Sequence, residues 1–185
     1  MPTWFNTRKA AQVVAFFARE AGGSIDVLKL TKLVYIADRS HMKSHDFPIC
    51  GDALVSMNHG PVNSVTYDYV NGYAYSRENW EAFVTDRANY QVGLVRQEIA
   101  DSELDELSRA ELRTLHEVWS AFGTFDKWAL VQWTHDNCPE WEDPHGSSNP
   151  IPYERVFKFL GKTNAEELEA RVIEDRGLRM AFAAG

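Results

Sequence analysis

Histidine, aspartate, serine and lysine occur in this chain at several spacings that chemistry uses. His41 and His45 lie four residues apart, so on a helix both imidazoles project from one face and could share a metal ion. No third ligand is fixed by spacing; Cys50 or His59 would serve only if the fold brought them near. Asp38, Asp52 and His59 supply the residue types of an acid–base set, which proton transfer needs within hydrogen-bond reach. Ser40-His41-Met42-Lys43 has the serine–lysine spacing of some acyl-transferring enzymes but lacks their companion motifs. Gly161-Lys162-Thr163 ends like a phosphate-binding loop, yet Val156 stands where that loop needs a glycine. These are short matches, and neither a metal nor a cofactor is expected from them. A small metal-dependent or acid–base hydrolase built on His41, His45, His59 and Asp52 is kept as the alternative reading.

The elements that must position these residues are mostly helical. Asn6 caps a first helix to about Ala21, with Val13, Val14 and Phe17 at helical spacing and Gly22-Gly23 ending it. Ser24 or Asp26 starts a second helix to about Ser44, in which Val27, Leu30, Leu33, Val34, Ala37 and His41 share one apolar face. Lys29, Lys32, Arg39 and Lys43 share the opposite face, flanked by Tyr35. After a loop at Phe47–Asp52 comes a short extended piece at Ala53–Asn58, a turn at His59-Gly60-Pro61, and a third helix through Val62, Val65 and Tyr69 to Gly72. Ala82–Thr85 and Gln91–Val95 read as a hairpin across Asp86–Tyr90. Ser108 with Glu111 is a capping box before a fourth helix ended by Gly123, and Thr124 is expected to cap a fifth. Residues 137–152 read as loop, Pro152–Leu160 as a short helix, and Asn164 to about Met180 as a charged, solvent-facing helix. The expected fold is mainly α: one compact helical domain over residues 1–161 with a minor β-hairpin, α+β at the margin, and a C-terminal helical extension over 162–185.

Charge and composition narrow the function. The chain has 185 residues with 19 basic and 27 acidic side chains, a net charge of −8, which argues against general phosphate-backbone binding. Against that background the basic face of Lys29, Lys32, Arg39 and Lys43, with Tyr35 beside it, reads as a docking surface for an acidic protein partner. His41 points inward on the same wheel, and Asp52, His59, Gly60 and Pro61 read as residues that pin or shape loops. Trp119, Trp128 and Trp133 are expected in the core, with Trp4, Trp80 and Trp141 free to anchor a partner. Cys50 and Cys138 are too few for a disulfide framework, and the N-terminal run that imitates a signal peptide is broken by Gln12 and lacks a cleavage site. A cytoplasmic location and no membrane partner are expected.

Leu30-Thr31-Lys32-Leu33-Val34-Tyr35-Ile36-Ala37-Asp38-Arg39-Ser40-His41 resembles the central helix of the Panacea (SocA-like, phage-associated) antitoxin domain. Pro48-Ile49, Asp52, Met57-Asn58-His59-Gly60-Pro61-Val62 and Tyr67 are similar to that family's segment ending in Gly-Pro-Val and a tyrosine. Leu107-Ser108 with Glu111-Leu112, and Ser148-Asn149-Pro150-Ile151-Pro152, are similar to its later landmarks, so the likeness spans about residues 6–161. The resemblance implies an antitoxin that binds and neutralises a protein toxin encoded beside it. It further implies, from the SocA branch, a proteolytic adaptor that hands the toxin to the ClpXP protease. Many members add a DNA-binding module; this chain begins almost directly at its first helix, so transcriptional autoregulation is not expected. Its carboxyl end, Ala183-Ala184-Gly185, reads as a frayed terminus, with a protease-readable tag as the other reading. A structural component of a prophage is a third reading of the whole.

Overall fold

The computed structural model describes residues 2–183. Among these, seven α-helices surround two small antiparallel sheets. In chain order they are α1 (Thr7–Glu20), β1 (Ser24–Asp26), α2 (Val27–His45), β2 (Leu54–Met57), β3 (Gly60–Asn63), α3 (Ser64–Asn71) and β4 (Gln91–Gly93). There follow α4 (Arg109–Phe122), α5 (Lys127–Asn137), β5 (Asn149–Ile151), α6 (Tyr153–Phe159) and α7 (Ala165–Ala183). The fold is mainly α with minor β. No helix of the described residues is long and apolar enough to cross a membrane.

Local chemistry sets the helix starts. Asn6 accepts the Lys9 amide at 2.9 Å, and Asp26 accepts the Leu28 and Lys29 amides, so both helices begin where a side-chain oxygen satisfies free N–H groups. Ser108 and Glu111 close a reciprocal capping box on α4. On α5 the cap is Asp126 rather than the expected Thr124: its carboxylate takes the Trp128 and Ala129 amides at 2.8 and 2.9 Å. A negative charge at the positive end of the helix dipole favours that later start.

The strands depart further from the periodicity. β2 and β3 form a tight hairpin in register Met57↔Gly60 and Val55↔Val62, so the turn lies at Asn58-His59 and Gly60-Pro61 opens a strand. Val62, expected on α3, belongs to β3; α3 begins at Ser64. β5 adds to β2 from within the segment expected to be loop, pairing Leu54 with Ile151. The expected hairpin near residue 90 is present as the antiparallel bridges Val84↔Leu94 and Ala88↔Gln91, with the Thr85 amide donating to the Gly93 carbonyl at 2.9 Å, while β4 also pairs with β1, placing Ile25 opposite Val92.

α2 is the central post. One side carries Leu30, Leu33, Val34 and Ala37 into a core with Val13, Phe16 and Phe17 of α1 and Leu115 of α4. The other side carries Tyr35 and Met42 into a second core with Cys138, Ile151, Val156, Phe157, Leu168 and Val172. Burial of each such side chain contributes roughly 1.5–3 kcal/mol before entropy is subtracted. α7, appended in sequence, thus lays Ala165, Leu168 and Val172 on α6 while its outer face stays exposed. Its Arg176 donates to the carbonyls of Gly51 and Asp52 at 3.0 and 2.8 Å and lies over the Trp4 ring.

Candidate protein-binding groove

The lysine and arginine face expected on α2 is not an exposed surface. Lys32 is 0% exposed and Tyr35 1%, because β3, α5 and the segment ending at Glu140 cover that side of the helix. Arg39 is mostly covered and pairs with the fully buried Glu140 at 2.6 Å, which also accepts the Tyr35 hydroxyl at 2.8 Å. Lys29 donates to the Gly123 carbonyl at 2.6 Å. Only Lys43 is exposed. The wheel separates polar from apolar correctly, yet a post packed on both sides buries its polar stripe when that stripe finds partners.

The hydrolase set is not assembled either. Asp38 accepts the Ile49 and Cys50 amides and the Asn63 side chain. Asp52 accepts the Val65 amide and both the amide and hydroxyl of Thr66, pinning the start of α3. Both carboxyls are sealed from water, and burial pushes each up to about 6 against the pull of those donors. His59 stands apart on the exposed hairpin turn. His41 bonds through Nδ1 to Thr114 Oγ1 at 2.9 Å and stacks on exposed His45 with ring centroids 4.2 Å apart. Burial and the neighbouring His45 lower His41 to about 4. Among the described residues no three His, Cys, Asp or Glu side chains converge as a metal site.

What the fold does bring together is a groove. The first turns of α2 form its floor, the β2–β3 turn and α3 its walls. A cavity of about 260 Å³ lies between Leu28, Lys32, Met57, Val62 and Ser147. A second of about 360 Å³ lies between Asp26, Asn71, Tyr73, Arg87, Tyr90 and Lys127. Leu28, Thr31, His59 and Tyr67 line both, so the two adjoin. The rim is aromatic: Tyr73, Tyr90 and Trp128 are 63%, 70% and 56% exposed. His59 packs edge-on against Trp128 at 5.4 Å, and the Arg87 guanidinium lies 5.0 Å from the Tyr90 ring centre. Lys127 pairs with Asp26 at 2.9 Å. Exposed tyrosine and tryptophan with a half-buried arginine, over a floor of mixed apolar and polar residues, is the composition of a protein-recognition site.

Trp119 and Trp133 pack against the core as expected, but Trp80 and Trp128 exchange their expected places. Trp80 is fully buried, stacked on Tyr69 at 4.9 Å, while Trp128 is at the surface. Trp141 stacks on His135 and donates to the Met57 carbonyl, and Trp4 lies beneath Arg176. Tyr73 and Tyr90 carried a usable signal: both are large aromatics in stretches without amphipathic period, where nothing obliges burial.

Gly60 and Pro61 hold the groove's hairpin in place. Gly60 has φ +96°, and a Cβ there would lie 2.6 Å from Thr134 Oγ1, so only glycine fits. The Pro61 carbonyl accepts from Lys32 Nζ at 2.9 Å, tying β3 to α2. Lys32, distant in sequence from Gly60, Pro61, Val62 and Tyr67, therefore meets them at one end of the groove. The last described residue of the expected terminal tag is Ala183; Ala184 and Gly185 lie outside the described residues.

No curated protein and no solved structure matches this chain. The sequence model for the antitoxin SocA-like, Panacea domain matches residues 30–142, which include Thr31 and Lys32 of the groove's floor, the hairpin, α3, Tyr90 and Trp128. With that match covering more than half of its length, the chain belongs to the SocA-like Panacea antitoxin domain family.

Proposed function

We propose that this protein neutralises a protein toxin by binding it, and that the groove between α2, the β2–β3 turn, α3 and the start of α5 is the contact surface. The family supplies the antitoxin role. The observation that carries the surface is exposed Tyr73 and Tyr90 lining one of two adjoining cavities, with exposed Trp128 packed on His59, which lines both. A specific contact covers on the order of 800 Å² of each partner, and a few aromatic anchors supply most of its free energy. Arg39, held by Glu140, is then a support of the surface and not a contact in itself. Neutralisation by occlusion follows from a filled groove alone. Delivery to ClpXP, also implied by the family resemblance, requires in addition that the toxin disappears.

Co-expression of the neighbouring open reading frame tests this. Wild type restores growth, whereas Tyr90→Ala with Trp128→Ala fails to restore it and loses toxin binding by about 30- to 1000-fold in calorimetry, as two anchors together worth roughly 2–4 kcal/mol require. Lys43→Glu leaves both unchanged. Rescue by the double variant with undiminished affinity refutes the groove. Toxin levels that fall only when ClpXP is present assign delivery; constant levels assign occlusion.

A further inference from the structure

Lys32 is the one wholly buried cation among the described residues. Arg39 has Glu140 and Lys9 has Glu111, each in a close ion pair. Lys32, wholly buried, has one acceptor, the Pro61 carbonyl at 2.9 Å, although an ammonium carries three N–H donors. Among the described residues it makes no ion pair. Its head is left uncrowded by Gly60, where even a methyl group would come within 3.3 Å of Nζ. Across Gly60, the Nε2 atom of His135 is also buried without a partner. Lys32 is in the wall of the 260 Å³ cavity, beside apolar Leu28, Met57 and Val62.

We propose that this cavity reads a carboxylate: an aspartate or glutamate of the bound protein lays its stem against Leu28, Met57 and Val62 and completes the ion pair that Lys32 lacks. This rests on the groove as the binding face and specifies the chemistry of its occupant. A buried ammonium without a counter-ion is costly, so an anion entering there gains more than it would at the surface. The rest of a chain of net charge −8 repels acidic partners, so a buried cation without a counter-ion at one end of the groove, distinct from Lys127 with its Asp26 and Arg87 on the other cavity, favours an acidic side chain there and helps set the register of binding. The titratable groups around Lys32 are His59 of the hairpin turn, Tyr67 of α3, and His135 and Cys138 of α5. None is a carboxylate. Burial holds Lys32 near 7, which makes its protonation a direct reporter of the cavity's contents.

The test is carbon-13 NMR of the lysine ε-methylenes in the full chain, titrated from pH 5.5 to 9.5. Sodium butyrate, a carboxylate on a short apolar stem, serves as the probe; butyramide and sodium chloride at equal concentration are the controls. Saturating butyrate raises the Lys32 midpoint by about one pH unit or more, as an opposite charge within ion-pair distance does, and neither control moves it. Amide signals of Leu28 and Met57 shift with it in wild type but not in Lys32→Met. An unmoved Lys32 midpoint in butyrate overturns the carboxylate reading while leaving the groove to its own test. Toxin binding that survives Tyr90→Ala with Trp128→Ala overturns the groove, whatever butyrate does.

Discussion

Replacing Lys32 by methionine should change the sign of its effect on stability across the pH scale. The folded chain holds this amine at about 7, the unfolded chain at the ordinary 10.5. Between those values the unfolded state binds the extra proton, so the contribution of Lys32 to stability rises with pH through that window and is at its worst below pH 7. At about 1.4 kcal/mol per pH unit, the buried ammonium costs on the order of 4–5 kcal/mol at pH 6 and about 1 kcal/mol at pH 10. Methionine removes that cost and fills much of the same volume, but leaves the Pro61 carbonyl without its donor, a loss of about 1–3 kcal/mol. Lys32→Met is therefore more stable than wild type by about 2–3 kcal/mol at pH 6, and slightly less stable at pH 10. Urea unfolding of both chains at pH 6, 8 and 10 measures this. Asp38 and Asp52, pushed up to about 6 by burial, owe nothing to Lys32 and so cancel in the difference. A difference that varies by less than about 1 kcal/mol from pH 6 to 10 would mean that Lys32 is not held as a strained charge, and the reasoning fails.

Gly60→Ala should destabilise by about 1–3 kcal/mol or more, since it meets Thr134 Oγ1 at a positive φ; thermal unfolding checks this, and Thr134→Ala in the same chain recovers part of the loss. Asp52→Asn replaces an acceptor of three hydrogen bonds with a group half donor, so loss of about 3 kcal/mol and early exchange of the Val65 and Thr66 amides are expected by hydrogen exchange. Arg39→Met strands buried Glu140 and should cost about 3–5 kcal/mol in urea unfolding, whereas Lys43→Ala, four residues on, stays within about 0.5 kcal/mol.

The helices were legible because their signals are local. Asn6, Asp26 and Ser108 with Glu111 announce starts through the groups they bond, and those bonds exist. The strand pairings were not, because β4 is joined to β1 and β5 to β2 by contacts between segments far apart in sequence. Short strands of this kind carry too little pattern to name a partner. The basic stripe of α2 failed for a related reason: Glu140, which anchors Tyr35 and Arg39, lies about a hundred positions away and gives no periodic hint. Conversely, the groove's aromatic rim was missed because surface exposure of Tyr73, Tyr90 and Trp128 depends on what the fold leaves uncovered, not on their spacing.

Arg176 shows that recognisability and foldability have different borders. Its guanidinium bridges the chain's last helix to the loop before β2 and presses on Trp4 near the opposite terminus. A fragment trimmed to residues 30–142 would strip Phe16 and Phe17 from one side of α2 and Val156, Phe157 and Leu168 from the other. Such a fragment would expose greasy flanks and precipitate or be digested, so the heritable signature is a kernel that requires its husk.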